Sequence, residues 1–175
     1  MKKMISMLIL STMALSCAAK KVDNSTVSSL SLNRYLGRWY EIARYDHVFE
    51  RGLQYATANY SLMKNGKVKV VNSGMKGNTV KTSEGKAKLT ETEGLLRVSF
   101  FGPFYSDYRV MMLDPDYQYV LVGSKTSNYL WILSRTPELP GNTIQAILAE
   151  AQRRGYDTKK LIWVDQTHNT KVEKL

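Results

Sequence analysis

Gly37-Arg38-Trp39-Tyr40-Glu41-Ile42-Ala43-Arg44-Tyr45-Asp46-His47-Val48-Phe49-Glu50-Arg51-Gly52 is the stretch on which the fold turns. A glycine, one residue and a tryptophan open a run of alternating character that ends in an aromatic, charged loop. Strand side chains change faces at every residue, so Trp39 and Glu41 share one face of this segment. An indole at the start of a first strand suits the base of a small barrel, where one large flat group must close the end.

The chain that follows supplies the rest of such a barrel. From Gly37 to Arg135 it reads as short strands separated by turn signals every ten to fifteen residues or so, the spacing of an antiparallel sandwich or barrel. Strands are expected near 38–45, 55–63, 67–73, 83–90, 95–101, 107–114, 117–123 and 129–135. The connections alternate in kind. Lys64-Asn65-Gly66 holds an Asn-Gly pair that favours a tight hairpin, and Glu91 to Gly94 and Asp114-Pro115-Asp116 are also compact. Asp46 to Gln54, Gly74 to Thr82, Gly102 to Ser106 and Gly123 to Asn128 read as longer. In an up-and-down barrel alternate connections lie at opposite ends, so one end is laced tightly and the other carries larger loops. Beyond the strands, Asn142 to Gly155 reads as a helix, with Asn142 as N-cap, Gln145 as its capping-box partner and Gly155 as the left-handed exit. Ile144, Ile147, Leu148 and Ala151 share its apolar face, while Glu150 and Arg154 fall on the exposed one. Leu161-Ile162-Trp163-Val164 reads as a closing strand on the outer edge.

At 175 residues the chain is one domain's worth. A hydrophobic share of 43% and a charged share of 23% exclude global disorder. The net charge of +10 comes from basic residues scattered singly along strands (Lys67, Lys69, Lys86, Lys88), without the arginine-rich stripe that nucleic acid demands. Attraction to anionic lipid surfaces fits the pattern better. Lys2-Lys3 followed by an apolar run from Met4 to Leu15 forms a leader, too short to span a bilayer as a helix. It ends at Ala14-Leu15-Ser16-Cys17-Ala18, which resembles the lipobox of bacterial lipoproteins except that Ala14 stands where leucine is usual. The organisation expected is a signal peptide over 1–16, a lipidated Cys17 with a flexible tether over 17–31, and the barrel with its helix and closing strand over 32–175. The alternative is ordinary export with cleavage after Ala19. With one cysteine there is no disulfide in either case.

Gly37-x-Trp39, the Asp116-Tyr117 turn and Arg135 at the end of the eighth strand occur together and in order. With Ser99-Phe100-Phe101-Gly102-Pro103-Phe104-Tyr105 and Tyr129-Leu130-Trp131-Ile132-Leu133-Ser134-Arg135-Thr136-Pro137, they make the chain resemble the lipocalin family, in its bacterial outer-membrane lipoprotein branch, over about residues 32–167. The resemblance implies an all-β fold, an eight-stranded antiparallel up-and-down β-barrel with a C-terminal helix packed outside. It implies that Trp39 fills the floor and that Arg135 lies across its ring, with Gly37, Asp116 and Tyr117 completing the signature. One departure is Pro115, which replaces the first residue of the usual Thr-Asp-Tyr turn and should still turn.

Alternation then assigns the lining. Counting back from Arg135 turns Leu133 and Trp131 inward. Lys67 and Lys69 must face water, leaving Val68 and Val70 inside, and Lys86 and Lys88 do the same for Ala87 and Leu89. Leu96, Val98 and Phe100 follow on the fifth strand, and Ala58, Tyr60, Val110, Met112, Tyr119 and Leu121 are added by the same reasoning. These side chains either pack one another or line a ligand pocket, since an eight-stranded barrel is wide enough for one small ligand. The count places no Lys or Arg other than Arg135 inside, which suits an apolar tail with its headgroup near the mouth. Phe49 between His47 and Arg51, with Phe104-Tyr105, forms either a rim that meets lipid headgroups or a second subunit, or a partial lid.

No nucleophile elbow, no zinc-ligand spacing and no cofactor motif occurs, and His47 and His168 are far apart. Glu41 falls on the Trp39 face, where a hydrogen bond to a floor tyrosine explains it as well as chemistry does. The resemblance implies a non-enzymatic carrier or store of fatty acids or lysophospholipids at the outer membrane, held through Cys17 carrying acyl chains such as palmitate, in transport or envelope repair. A homodimer is left open. The alternatives are a lipocalin-fold enzyme acting on a lipophilic substrate and a non-binding structural lipoprotein.

Overall fold

Eight antiparallel strands close on themselves in the computed structural model, which describes residues 22–169. They are β1 (Gly37–Arg44), β2 (Gln54–Leu62), β3 (Val68–Lys76), β4 (Thr79–Leu89), β5 (Leu95–Phe101), β6 (Phe104–Leu113), β7 (Tyr119–Gly123) and β8 (Leu130–Ser134). Neighbours in sequence pair throughout, and β1 pairs with both β2 and β8, which removes every edge but one. On that side β9 (Ile162–Trp163) lies against β1, with Ala43 opposite Trp163. The expected fold class and closing strand are therefore present. Cys17 and the leader lie outside the described residues.

Two open-end connections are shorter than their composition suggests. Strands β3 and β4 run on to a turn at Gly77-Asn78, and β5 and β6 to one at Gly102-Pro103. Thr79 to Glu84 are water-exposed on both faces, so no apolar alternation marks them as strand. The longer connections at that end are 45–53 and 124–129.

Two apolar clusters divide the interior from the outer wall. The inner one gathers Trp39, Tyr60, Val68, Val70, Ala87, Leu96, Val110, Val120, Val122 and Leu133. The outer one holds Tyr40, Ile42, Met111, Leu121, Leu130 and Ile132 against Ile147 and Ala151 of helix α2 (Gly141–Arg153). The cap of this helix falls two residues earlier than expected. Pro140 is its N-cap and accepts from the Ile144 amide, while Asn142 bonds only to the Thr143 amide. Arg154 is buried rather than on a solvated face. Its guanidinium donates to Glu150, to the Met111 carbonyl at 2.7 Å and to the Ser25 carbonyl at 2.8 Å.

The described part of the expected tether is fixed. Asn24 Nδ2 donates to the Ser124 and Lys125 carbonyls, the Val27 amide to Val110, and the Leu30 amide to Glu93. Val27 and Leu30 pack on the inner cluster, two apolar residues that a polar, small-residue composition masks. The segment then turns under the barrel as a short helix α1 (Leu32–Tyr35) that carries Tyr35 to the base.

Candidate functional site

The base of the barrel is built from both ends of the chain. Trp39 is fully buried, and its indole N–H donates to the Tyr35 carbonyl at 2.8 Å. Arg135 places its guanidinium carbon 3.9 Å from the centre of that ring. The same group donates to the carbonyls of Arg38 (2.7 Å), Arg34 (2.7 Å), Leu36 (2.9 Å) and Tyr117 (3.3 Å), so four backbone acceptors and one aromatic face share a single cation. Gly37, at φ +94°, makes room: a Cβ there would stand 3.4 Å from Arg135 Nη1. Tyr117 is buried and its hydroxyl accepts from the Ser31 amide, while Asp114 holds the turn by accepting from the amides of Asp116 and Gln118. Asp116 itself is exposed and only 3.9 Å from an exposed Arg34 guanidinium, a pair that contributes little.

Above the indole lies a tyrosine layer. Tyr35 and Tyr60 both bond to the Tyr108 hydroxyl, at 2.6 and 3.0 Å, and burial raises all three phenols above their ordinary pKa. Higher still is a charged layer. A bulge between Glu41 and Ala43 shifts the alternation of β1, so Arg44 pairs with Trp131 and turns inward. Arg44 is 2% exposed, which corrects the expectation that Arg135 is the sole interior base. Its guanidinium meets Glu41 at 2.5 Å and donates to the Glu50 and Leu53 carbonyls. Glu41 is thus paired with Arg44 and not with a floor tyrosine. Glu50, from the loop after β1, accepts from the Trp131 indole at 3.1 Å. Burial and then the charge of Glu50 push the Glu41 carboxyl up to about 8, and burial also raises Glu50. His47 stacks on Phe49 and Tyr129 and lies tilted against Trp131, with centroids 4.6–5.4 Å away; burial and then Arg44 bring its pKa down to about 4.

Of the lining residues expected from alternation, Ala58, Tyr60, Val68, Val70, Leu96, Val98, Phe100, Val110, Trp131 and Leu133 belong to the inner cluster or pack on it. Met112, Tyr119 and Leu121 do not; they face the outer wall beneath α2. A second bulge, between Val110 and Met112, moves Met112 outward and brings Leu113 in. On β7, Leu121 pairs with Ile132 and Tyr119 with Ser134, so the inward residues are Val120 and Val122. Leu89 is 49% exposed at the strand end, outside the interior. Tyr108 was findable, two residues before Val110 on one strand. Arg44, hidden by the bulge, and Glu50, in an aperiodic loop, left no signal.

These features define a closed antiparallel β-barrel, sealed at one end by an indole and a guanidinium, with an external helix on its wall. Known proteins place it further. The family description "Lipocalin-like domain" matches residues 30–166. The chain is 49% identical over 146 residues to outer membrane lipoprotein Blc of Escherichia coli K12, covering 81% of this chain and 82% of that protein. It is 42% identical over 168 residues to outer membrane lipoprotein Blc of Vibrio cholerae, covering 93% and 98%. Among solved structures, the cockroach allergen Per a 4 superposes with a TM-score of 0.68 at 22% identity, over 84% of this chain and 95% of that one. The chain belongs to the lipocalin family.

Proposed function

We infer that this lipocalin is an outer-membrane lipoprotein that binds and carries or stores single-tailed amphiphiles, fatty acids or lysophospholipids, while anchored through acylated Cys17. One observation carries the reading: above the sealed base, inward-facing Val98, Phe100, Tyr108 and Trp131 keep part of their surface accessible. An acyl tail covering that wall gains about 0.8 kcal/mol per buried methylene, so selectivity by shape and burial is enough for retention. The polar layer fits a headgroup. Arg44 Nε and Asn72 Oδ1, the latter on the inner-wall position opposite Ala58, are buried without a hydrogen-bond partner in the protein. The names of the bacterial relatives support the location.

Native mass spectrometry of the full chain extracted from its own membrane tests this. A co-purifying fatty acid or lysophospholipid at one per barrel is the expected result, and a ligand-free barrel would refute it. A second reading, an enzyme on the same barrel, is favoured by Glu41, a buried carboxyl lifted to about 8 beside Glu50. Conversion of the retained lipid by the native chain, abolished by E41Q with retention intact, would select it.

A further inference from the structure

Among the described residues, the open end of the barrel carries the most exposed apolar side chains. Val48 and Phe49 stand on the 45–53 loop, Val80 beside the β3–β4 turn, and Phe101 and Phe104 face each other across the β5–β6 turn. Phe101 and Phe104 are 79% and 78% exposed, far beyond the scattered single apolar residues of an ordinary surface. Lys76, Lys81 and Lys125 are exposed around them, with no ion pair among the described residues. On the same connections the exposed acid is Asp46, already neutralised by Arg51 at 2.8 Å. The sealed end is mixed in charge, with Glu91, Glu93, Asp114 and Asp116 on its turns beside Lys64 and Lys67, and it carries fewer strongly exposed apolar side chains.

The path of the N-terminal segment is compatible with the same surface. Asn24 is bonded to the 124–129 loop and the Asp23 amide to the Arg154 carbonyl, so the described chain starts at the open end and runs down to α1 beneath the base. Cys17 precedes Val22 by five residues, a reach of at most about 17 Å even if fully extended. Two residues after Asn24, the Thr26 hydroxyl already donates to the Glu93 carbonyl on a sealed-end turn, so the segment ahead of Val22 leaves an anchor on Cys17 free to meet the same membrane as the mouth.

We propose that the open end rests directly on an anionic phospholipid surface, with Phe49, Phe101 and Phe104 among the acyl chains and Lys76, Lys81 and Lys125 on the phosphates. Ligand then passes between bilayer and barrel without crossing bulk water. The apolar rim and its charge carry the orientation, and the reading of Cys17 as the anchor, taken from the proposed function, supplies the attachment. Anchor and rim together provide the two signals that stable membrane attachment takes.

The test uses the full chain, processed in a lipoprotein-exporting host and reconstituted into phosphatidylethanolamine/phosphatidylglycerol vesicles with brominated acyl chains. F101W places a reporter at the mouth and L62W one at the base, each read against the native tryptophans. Insertion about 5–10 Å deep predicts a blue-shifted, quenched F101W and an unquenched L62W. The variant F49S/F101S/F104S, still anchored, is expected to slow transfer of a fluorescent fatty acid from vesicle to barrel by about tenfold. An anchored protein with F101W unquenched, or L62W quenched as strongly, overturns the orientation. So does a cross-linked dimer in which F101W is shielded by a second copy. Recovery of the wild-type chain in the soluble fraction instead refutes the anchor, and vesicle binding by that soluble chain, with or without F101W quenching, then decides the rim separately.

Discussion

Removing the indole of Trp39 tests the base of the barrel most directly. The ring is fully buried, packs at 5.0 Å from the Tyr35 ring and holds the Arg135 guanidinium at 3.9 Å. Trp→Ala at a closed site costs about 3–5 kcal/mol through lost transfer energy and an unfilled cavity. The cation–π contribution, about 1 kcal/mol for a partly buried guanidinium, places W39A in the upper part of that range. With a guanidinium chloride slope near 4 kcal/mol per molar, the unfolding midpoint should drop by about 1 M. Equilibrium denaturation followed by tyrosine fluorescence and far-ultraviolet circular dichroism measures it. R135M should cost less alone, and the double variant should show about 1 kcal/mol of coupling, since ring and cation are in contact. A midpoint shift under about 0.2 M, or strict additivity of the two changes, would refute the indole–guanidinium unit as the closure of the barrel.

G37A forces an L-residue to φ +94° with its Cβ 3.4 Å from Arg135 Nη1, and should cost about 1–3 kcal/mol by the same assay. Between pH 4.5 and about 8 the folded chain holds a Glu41 proton that the unfolded chain has lost, so this carboxyl makes stability fall as pH rises; E41Q should flatten that fall in thermal melts taken from pH 5 to 8. His47 acts in the opposite sense: neutral when folded down to about pH 4, it loses stability as pH drops below 6.5, and H47F should recover about 2 kcal/mol at pH 4. C17A should move the protein from the membrane pellet to the periplasmic fluid, and unchanged fractionation would rule out lipid anchoring.

Where the sequence was legible, strict alternation or a steric requirement made it so. Trp39, Arg135 and the compact turns follow from a barrel that must close at one end, and Val68, Val70, Leu96 and Val98 follow from lysines and an arginine that must face water on alternate positions. The misplacements have two physical sources. Bulges after Glu41 and Val110 each move one side chain across the wall, which brings Arg44 in and puts Met112 out. On β7 both faces are apolar, one for the interior and one for α2, so Tyr119 and Leu121 were indistinguishable in character from Val120 and Val122. Of the polar layer only Glu41, on the Trp39 face, was legible, because Arg44 lies past the bulge of β1 and Glu50 in a loop. Only the folded chain brings Glu50 to Trp131, 81 positions away.

Closing the base has a consequence for biogenesis. Arg135 completes its bonds to Arg34, Leu36 and Arg38 across a separation of about a hundred residues. A chain threaded through an export channel N-terminus first would present Trp39 long before its cation emerged. Until then the nascent sheet has open flanks and an uncapped apolar lumen, the condition under which holdase chaperones are most needed. Maturation would accordingly be a late, all-or-none event, slow for a domain of this size and sensitive to truncation anywhere upstream of position 135.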